Sequence, residues 1–208
     1  MNDHSPHWLR WARELQAIAQ TGLAFSTSGY DTERYGRIAD IAARITAQAS
    51  ALDEQGLLSI FLAHPGYATP KVDVRGAVIR DGRILLVREK QDGRWCMPGG
   101  WADVGERPSE MVVREVREES GFDVTPEKVV GVFDANREGG ALQFFHAYKI
   151  VFLCRLLGGE ARTSNETLAV DFFSLHALPP LSSNRTHPRH ILEIERHLQD
   201  PLRPAAFE

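Results

Sequence analysis

Residues Gly100 to Phe122 constrain this chain more than any other stretch, because GWADVGERPSEMVVREVREESGF sets a glycine-led loop ahead of a helix whose charged face is almost fully specified. Pro108 and Ser109 suit a helix start, Glu110 lies in the first turn where the helix dipole favours an anion, and Gly121 suits the C-terminal cap. The spacing therefore predicts one helix from about 108 to 120. Glu115, Glu118 and Glu119 stand at i, i+3 and i+4 and fall on one stripe of that helix. Three neighbouring carboxylates repel one another. One way to relieve this is a solvated face paired with Arg114 and Arg117. The other is a hard divalent cation, since Mg²⁺ or Mn²⁺ prefers carboxylate oxygen and takes further ligands from water and phosphate.

The same stretch fills a longer pattern. Gly100, Glu106, Arg114, Glu115, Glu118, Glu119 and Gly121, with Val116 and Phe122 at the bulky apolar places U, give G-x5-E-x7-R-E-U-x-E-E-x-G-U without departure. In this the chain resembles the Nudix hydrolases, which cleave nucleoside diphosphates linked to another moiety. The resemblance implies an α+β fold, an α/β/α sandwich with a mixed sheet, here preceded by a small all-helical domain. It also implies that Glu115, Glu118 and Glu119 bind Mg²⁺ or Mn²⁺ with the Gly100 carbonyl as a further ligand. Arg114 would orient the carboxylates by hydrogen bonding, Glu106 would steady the loop over the helix, and Gly121 would close the helix.

Domain organisation follows from a change of pattern near residue 65. Before it, Trp8, Trp11, Leu15, Ile18 and Ala19 recur at helical spacing, as do Tyr35, Ile38, Ile41, Ala42 and Ile45, with a third apolar stretch from Leu57 to Leu62. Asp31 or Thr32 is placed to cap the second helix. Residues 1–64 thus read as a helical domain, 65–70 as a linker, and 71–208 as the catalytic domain. In the latter, residues 72–80 and 84–87 flank Asp81-Gly82 as a hairpin, further strands are expected near 128–134, 143–156 and 168–174, and a closing helix near 189–199.

A net charge of −4 and a pI near 6.1 give no broad basic surface and argue against nucleic acid as partner. The amino terminus lacks the pattern of a signal peptide and no long apolar run appears, so no membrane association is expected and the cytoplasm is the expected location. Cys96 and Cys154 lack metal-ligand spacing and read as free thiols.

Several residues outside the box can address substrate, each with a structural alternative. Trp95 either stacks on a base or anchors the loop before Gly99-Gly100. Arg75, opposite Val72, Val74 and Val78 in strand alternation, either reaches a diphosphate or lies on an outer face. Asp134 and Arg137 fall in a strand-to-loop segment suited to a distal group, or simply face solvent. His146, among aromatic residues, reads as a packed histidine. Many Nudix enzymes carry an additional glutamate outside the box that binds metal or acts as base; Glu166 is placed to be that residue, with Glu160 and Glu138 as alternatives.

The reaction this implies is in-line attack of water on a diphosphate, giving a nucleoside monophosphate and a phosphorylated second product. The helical amino-terminal region, the strand VDVRGAVI and the approach WCMPGGWADVGE resemble the subgroup that includes ADP-ribose and CDP-choline pyrophosphatases. A proline that marks many ADP-ribose pyrophosphatases beyond the box is absent near Asn136, which keeps a CDP-alcohol beside ADP-ribose as the expected substrate. An RNA cap- or end-processing enzyme, for which the basic patch Arg185, His187, Arg189 and His190 would speak, and a non-catalytic nucleotide-sugar sensor are the rival readings. The apolar stripes led by Trp8, Trp11, Leu15, Ile38, Ile41 and Ile45 exceed what three short helices can hide, and predict a homodimer whose helical domain helps shape the substrate site.

Overall fold

Alternating apolar and polar positions at helical spacing produce three helices at the amino-terminal end: α1 (His7–Phe25), α2 (Gly29–Ala47) and α3 (Glu54–Leu62). The computed structural model describes residues 6–48, 53–136 and 145–208. Its contacts fall into two units, residues 1–70 with 137–146, and Lys71–Asn136 with Ala147–Glu208.

In the helical unit the inward faces of α1 and α2 are lined mainly by small residues: Ala12 and Ala19 on α1, Ala39, Ala42 and Ala43 on α2. Leu57 and Phe61 of α3 complete that core with Ala42 and Ala43. The large apolar side chains point elsewhere, with Trp11 59% and Ile41 40% exposed beside exposed Ile18, Phe25 and Tyr30. The start of α2 differs from expectation. Ser28 is the N-cap residue, without a side-chain cap, and Thr32 lies inside the first turn and donates its hydroxyl to the Ser28 carbonyl at 3.0 Å. Asp53 does cap α3, accepting from the Gly56 amide at 2.8 Å.

The second unit is built on one mixed sheet. Its elements are β1 (Lys71–Arg80), β2 (Arg83–Glu89), β3 (Trp95–Cys96), β4 (Gly99–Trp101), α4 (Pro108–Ser120), β5 (Phe122–Asp134), β6 (Ala147–Gly159), β7 (Thr167–Ser174), α5 (Pro188–Gln199) and β8 (Ala206–Phe207). The strand order is β3-β2-β1-β6-β5-β8, with β4 also on β1 and β7 also on β2. β1 and β6 run parallel, while β1–β2 and β5–β6 are antiparallel. Asp81 (φ 51) and Gly82 (φ 71) both take positive φ, the turn that matches the twist of a two-residue hairpin.

Helices cover both faces of this sheet. Met111, Val112 and Val116 of α4 pack on Val74, Val78, Leu85 and Val124, and Ile191 and Ile194 of α5 pack on Ala77, Ile84, Leu86 and Val151. Each such aliphatic side chain contributes roughly 1.5–3 kcal/mol by leaving water. The α/β/α sandwich with a mixed sheet, preceded by helices, is therefore the architecture. β5 is longer than expected and starts straight after α4, because register shifts around Asp123, Pro126 and Val129 break the alternation that would have announced it.

Candidate active site

The site is assembled where β4 lies against β1 and α4 runs beneath it. β4 pairs with β1 in the register Asp73↔Trp101, Val74↔Gly100 and Arg75↔Gly99, and the Gly76 amide donates to the Pro98 carbonyl at 2.9 Å. Only glycine fits at 99: its φ is 138°, and a Cβ there would sit 2.0 Å from the Val74 carbonyl oxygen. This conformation turns the Gly99 amide toward α4, where it donates to Glu119 Oε2 at 2.9 Å. At Gly100 a Cβ would stand 3.3 Å from Glu115 Oε2, so the backbone here runs directly over that carboxylate.

On α4, one arginine gathers the acidic groups. Arg114 donates through Nε and Nη2 to both Glu106 oxygens (2.8 and 2.7 Å), and through Nη1 to Glu115 Oε1 (2.9 Å) and Glu118 Oε2 (3.1 Å). Its hydrogen bonds hold the Glu106 carboxyl below its ordinary range. Burial raises the other two acids: Glu115 is pushed up first by desolvation, with Arg114 opposing, and Glu119 is pushed up to about 7 by its burial, with Arg75 and the Gly99 amide opposing. Glu118 is 59% exposed. The structure thus brings Glu115 and Glu119 to the glycine turn and leaves Glu118 at its rim. With Arg114 among them, no three His, Cys, Asp or Glu side chains of the described residues converge closely enough to hold a metal ion. Gly121 (φ 81) closes α4 in the left-handed conformation.

Beneath the turn lies a polar network. Arg75 is buried, not on an outer face: α5 covers that side of the sheet, and the guanidinium forks onto Asp73, Nε to Oδ1 and Nη2 to Oδ2 at 2.9 Å each. Its Nη1 donates to the Met97 carbonyl at 3.1 Å. Lys149 Nζ donates to Asp73 Oδ1 at 3.0 Å. Burial works against the Asp73 anion, yet Arg75 and Lys149 hold its carboxyl below the usual range; burial also pushes Lys149 down to about 8, which leaves it charged at neutral pH. Farther along, the buried Cys96 thiol donates to Glu89 Oε1 at 3.1 Å, and Arg185 Nε lies 3.7 Å from the same oxygen. Cys96 and Cys154 are both free and buried. Asp73, Glu89 and Lys149 were not singled out from the sequence. Their signal was available: Lys149 stands between inward-facing Ala147 and Val151, and Asp73 two places before Arg75, charges at core positions of apolar strands.

The remaining positions separate into structural partners and rim. Trp95 packs edge-on against Phe173, with ring centroids 4.7 Å apart, at the border of the α5 core, the arrangement of a loop anchor. The Asp134 carboxylate accepts from the Asn136 amide at 2.9 Å and its carbonyl from Arg189 at 2.6 Å. Arg137 and Glu138 lie outside the described residues. Glu166 is exposed; its carbonyl accepts from the Lys90 amide, and the neighbouring Thr167 hydroxyl donates to the Glu119 carbonyl at 3.1 Å. His146 precedes β6 and is half-buried. The expected basic patch is engaged in structure: Arg185 reaches Gln91 and Asp92, Arg189 pairs with Glu208, and His187 and His190 cap α5. No helix among the described residues is long and apolar enough to cross a membrane.

Comparison with known proteins places this geometry among relatives. Residues 70–193 match the family described as NUDIX domain, and residues 6–61 that described as UDP-X-like, N-terminal oligomerisation domain. The Bacillus subtilis protein YjhB, provisionally named an ADP-ribose pyrophosphatase, is 40% identical over 201 residues, 97% of each chain. The ADP-ribose pyrophosphatase of Methanocaldococcus jannaschii is 34% identical over 122 residues, 56% of this chain and 69% of its own. Among solved structures, a UDP-X diphosphatase matches with a TM-score of 0.63 at 32% identity, covering 97% of this chain and 98% of its own. An ADP-ribose pyrophosphatase from Streptococcus suis matches with a TM-score of 0.59 at 36% identity, covering 67% of this chain and all of its own.

Proposed function

The chain belongs to the Nudix hydrolases and is a pyrophosphatase, and from that footing we propose that it uses Mg²⁺ or Mn²⁺ to hydrolyse the phosphoanhydride bond of a nucleoside diphosphate joined to a second moiety. The products are a nucleoside monophosphate and the phosphorylated second moiety. The observation that carries this reading is the meeting of Glu115 and Glu119 with the Gly99-Gly100 turn.

The donor chemistry suits a divalent cation, and Glu115 and Glu118 would converge on it by releasing the oxygens that Arg114 now holds. The donors are hard carboxylate oxygens, the absence of a side chain at Gly100 leaves the backbone open beside Glu115, and the ionised form of Glu119 is disfavoured by burial until a cation is near. Glu115, Glu118, Glu119 and the Gly100 carbonyl are assigned to hold it. Bound there, the cation supplies charge neutralisation for the diphosphate and lowers the pKa of water. Arg114 orients Glu115 and Glu118, and Glu106 braces Arg114 from the loop. Glu166, exposed beside the end of α4, is assigned to take the proton of the attacking water. Trp95 and Asp134 are assigned to loop geometry at the substrate-facing rim, consistent with their partners.

For the linked moiety, ADP-ribose leads, supported by the likeness to YjhB along nearly the whole chain. A uridine diphosphate compound is the second reading, favoured by the likeness to UDP-X diphosphatase and by the description of the amino-terminal family. We assign the helical unit to homodimer formation and to shaping of the substrate site, supported by its exposed Trp11, Ile18, Phe25 and Ile41 and by the oligomerisation family it matches. A screen of ADP-ribose, UDP-sugars and CDP-choline with each metal, products read by mass, tests the assignment. AMP or UMP with a phosphorylated partner is the expected outcome; inorganic phosphate released from AMP as the main activity would contradict it.

A further inference from the structure

Arg75 is bound too tightly to serve as a free phosphate clamp, and its partners suggest another role. It is 4% exposed, and two of its three guanidinium nitrogens are committed to Asp73. Asp73 is locked in turn by Lys149, which is 1% exposed. The third nitrogen, Nη1, therefore points in a direction fixed by a rigid planar fork, toward the Met97 carbonyl. The same residue is gripped from its other side, since the Met97 amide donates to the buried Thr186 hydroxyl at 2.8 Å. Two residues later the chain takes the left-handed turn at Gly99, whose amide holds Glu119, and Gly99 stands directly opposite Arg75 in the strand register.

A buried cluster of one anion and two cations is a poor way to gain stability, because apolar side chains of the same volume would hold the strands together as well or better. What the charges supply is direction. We propose that Arg75 is a positioning residue for hydrolysis: clamped by Asp73 and Lys149, it fixes the Met97–Gly100 turn, and through the Gly99 amide the carboxylate of Glu119, without touching substrate. This rests on the reaction proposed above and departs from the reading of Arg75 as a diphosphate ligand.

Two variants test it. Arg75→Met keeps bulk but removes the fork and leaves Asp73 paired with Lys149; Arg75→Lys keeps the charge but cannot span both Asp73 and Met97. Small misplacements in an active site cost up to about a hundredfold in rate, so kcat should fall at least about tenfold in either variant while KM stays within about threefold of the native enzyme. Amide hydrogen exchange at Gly99 and Gly100 should quicken relative to amides of β5 and β6. If Arg75→Met does not fold, Arg75→Lys decides by the same readings. A rise in KM at constant kcat would overturn the proposal in favour of direct substrate contact, and unchanged kcat with unchanged exchange would overturn it outright. If the native chain hydrolyses no nucleoside diphosphate derivative, the functional assignment has failed, and exchange at Gly99 still decides whether Arg75 holds the turn.

Discussion

Removing the charge of Glu119 while keeping its shape should make the metal-free protein more stable above neutral pH and catalytically inert. Glu119 is 6% exposed, and its carboxyl is raised from the ordinary 4.5 to about 7 by burial, with Glu89 and Glu115 adding to the effect and Arg75 and the Gly99 amide opposing it. The gap corresponds to roughly 3 kcal/mol, at about 1.4 kcal/mol for each tenfold change in proton affinity. The sign follows from which state holds the proton. Between pH 4.5 and 7 the unfolded chain has already ionised this group while the folded protein keeps it protonated, so stability from this group is complete below pH 4.5, falls as pH rises to 7, and is flat above.

Glu119→Gln is neutral at every pH and its amide oxygen can still accept from Gly99. Any fixed cost of burying its NH₂ group is independent of pH, so the diagnostic quantity is the change with pH. Urea unfolding with chelator present should show the advantage of the variant over the native chain growing by roughly 2–3 kcal/mol from pH 5 to pH 8.5. Added Mn²⁺ should stabilise the native chain and do little for the variant, and turnover should fall by orders of magnitude. Parallel stability profiles for the two proteins, or undiminished turnover by Glu119→Gln, would refute the reasoning.

Arg114→Met removes the shared partner of Glu106, Glu115 and Glu118. Loss of such an orienting group should lower kcat about 10–100-fold, with little change in the urea midpoint, since half-exposed ion pairs contribute about 0–1 kcal/mol; steady-state kinetics and urea unfolding check both. A truncated protein beginning near Thr69 should be monomeric by light scattering where the intact chain is dimeric, because it lacks the exposed Trp11, Ile18, Phe25 and Ile41. A monomeric intact chain, or a dimeric truncated one with unchanged KM, would remove the role assigned to the helical unit.

What the sequence revealed depended on whether the signal was local. Helix α4 was legible at both ends, because Pro108 at the first turn and Gly121 at the left-handed cap are nearest-neighbour chemistry. The hairpin at Asp81-Gly82 was legible for the same reason. Strand alternation places Arg75 opposite Val74 and Val78, but whether that opposite face meets water is decided by α5, more than a hundred residues later in the chain. For Lys149 the alternation of AYKIVF marks a charge at a core position, but its partner Asp73 is 76 positions away and no local pattern names it. The surplus of large apolar side chains on α1 and α2 was legible too, and Trp11 and Ile41 are left exposed because alanines fill the closely packed interface.

Two arginines thus frame the acidic stripe from opposite sides, and their burial sets what each can do. Arg114 is 31% exposed and pairs with glutamates that are themselves partly in water, so its contacts can be exchanged at a cost of about 0–1 kcal/mol per pair. Arg75 is enclosed with Asp73 and Lys149, where removal of the shared partner Asp73 leaves two buried cations uncompensated, at a cost of about 3–5 kcal/mol. The outer cluster is therefore the adjustable part and the inner one the fixed frame. Glu119 lies between them, accepting from the Gly99 amide on the framed side and facing Glu115 on the adjustable side. A carboxylate in that position keeps its direction while its surroundings change charge, which is what the proposed binding of a cation and a diphosphate would ask of it.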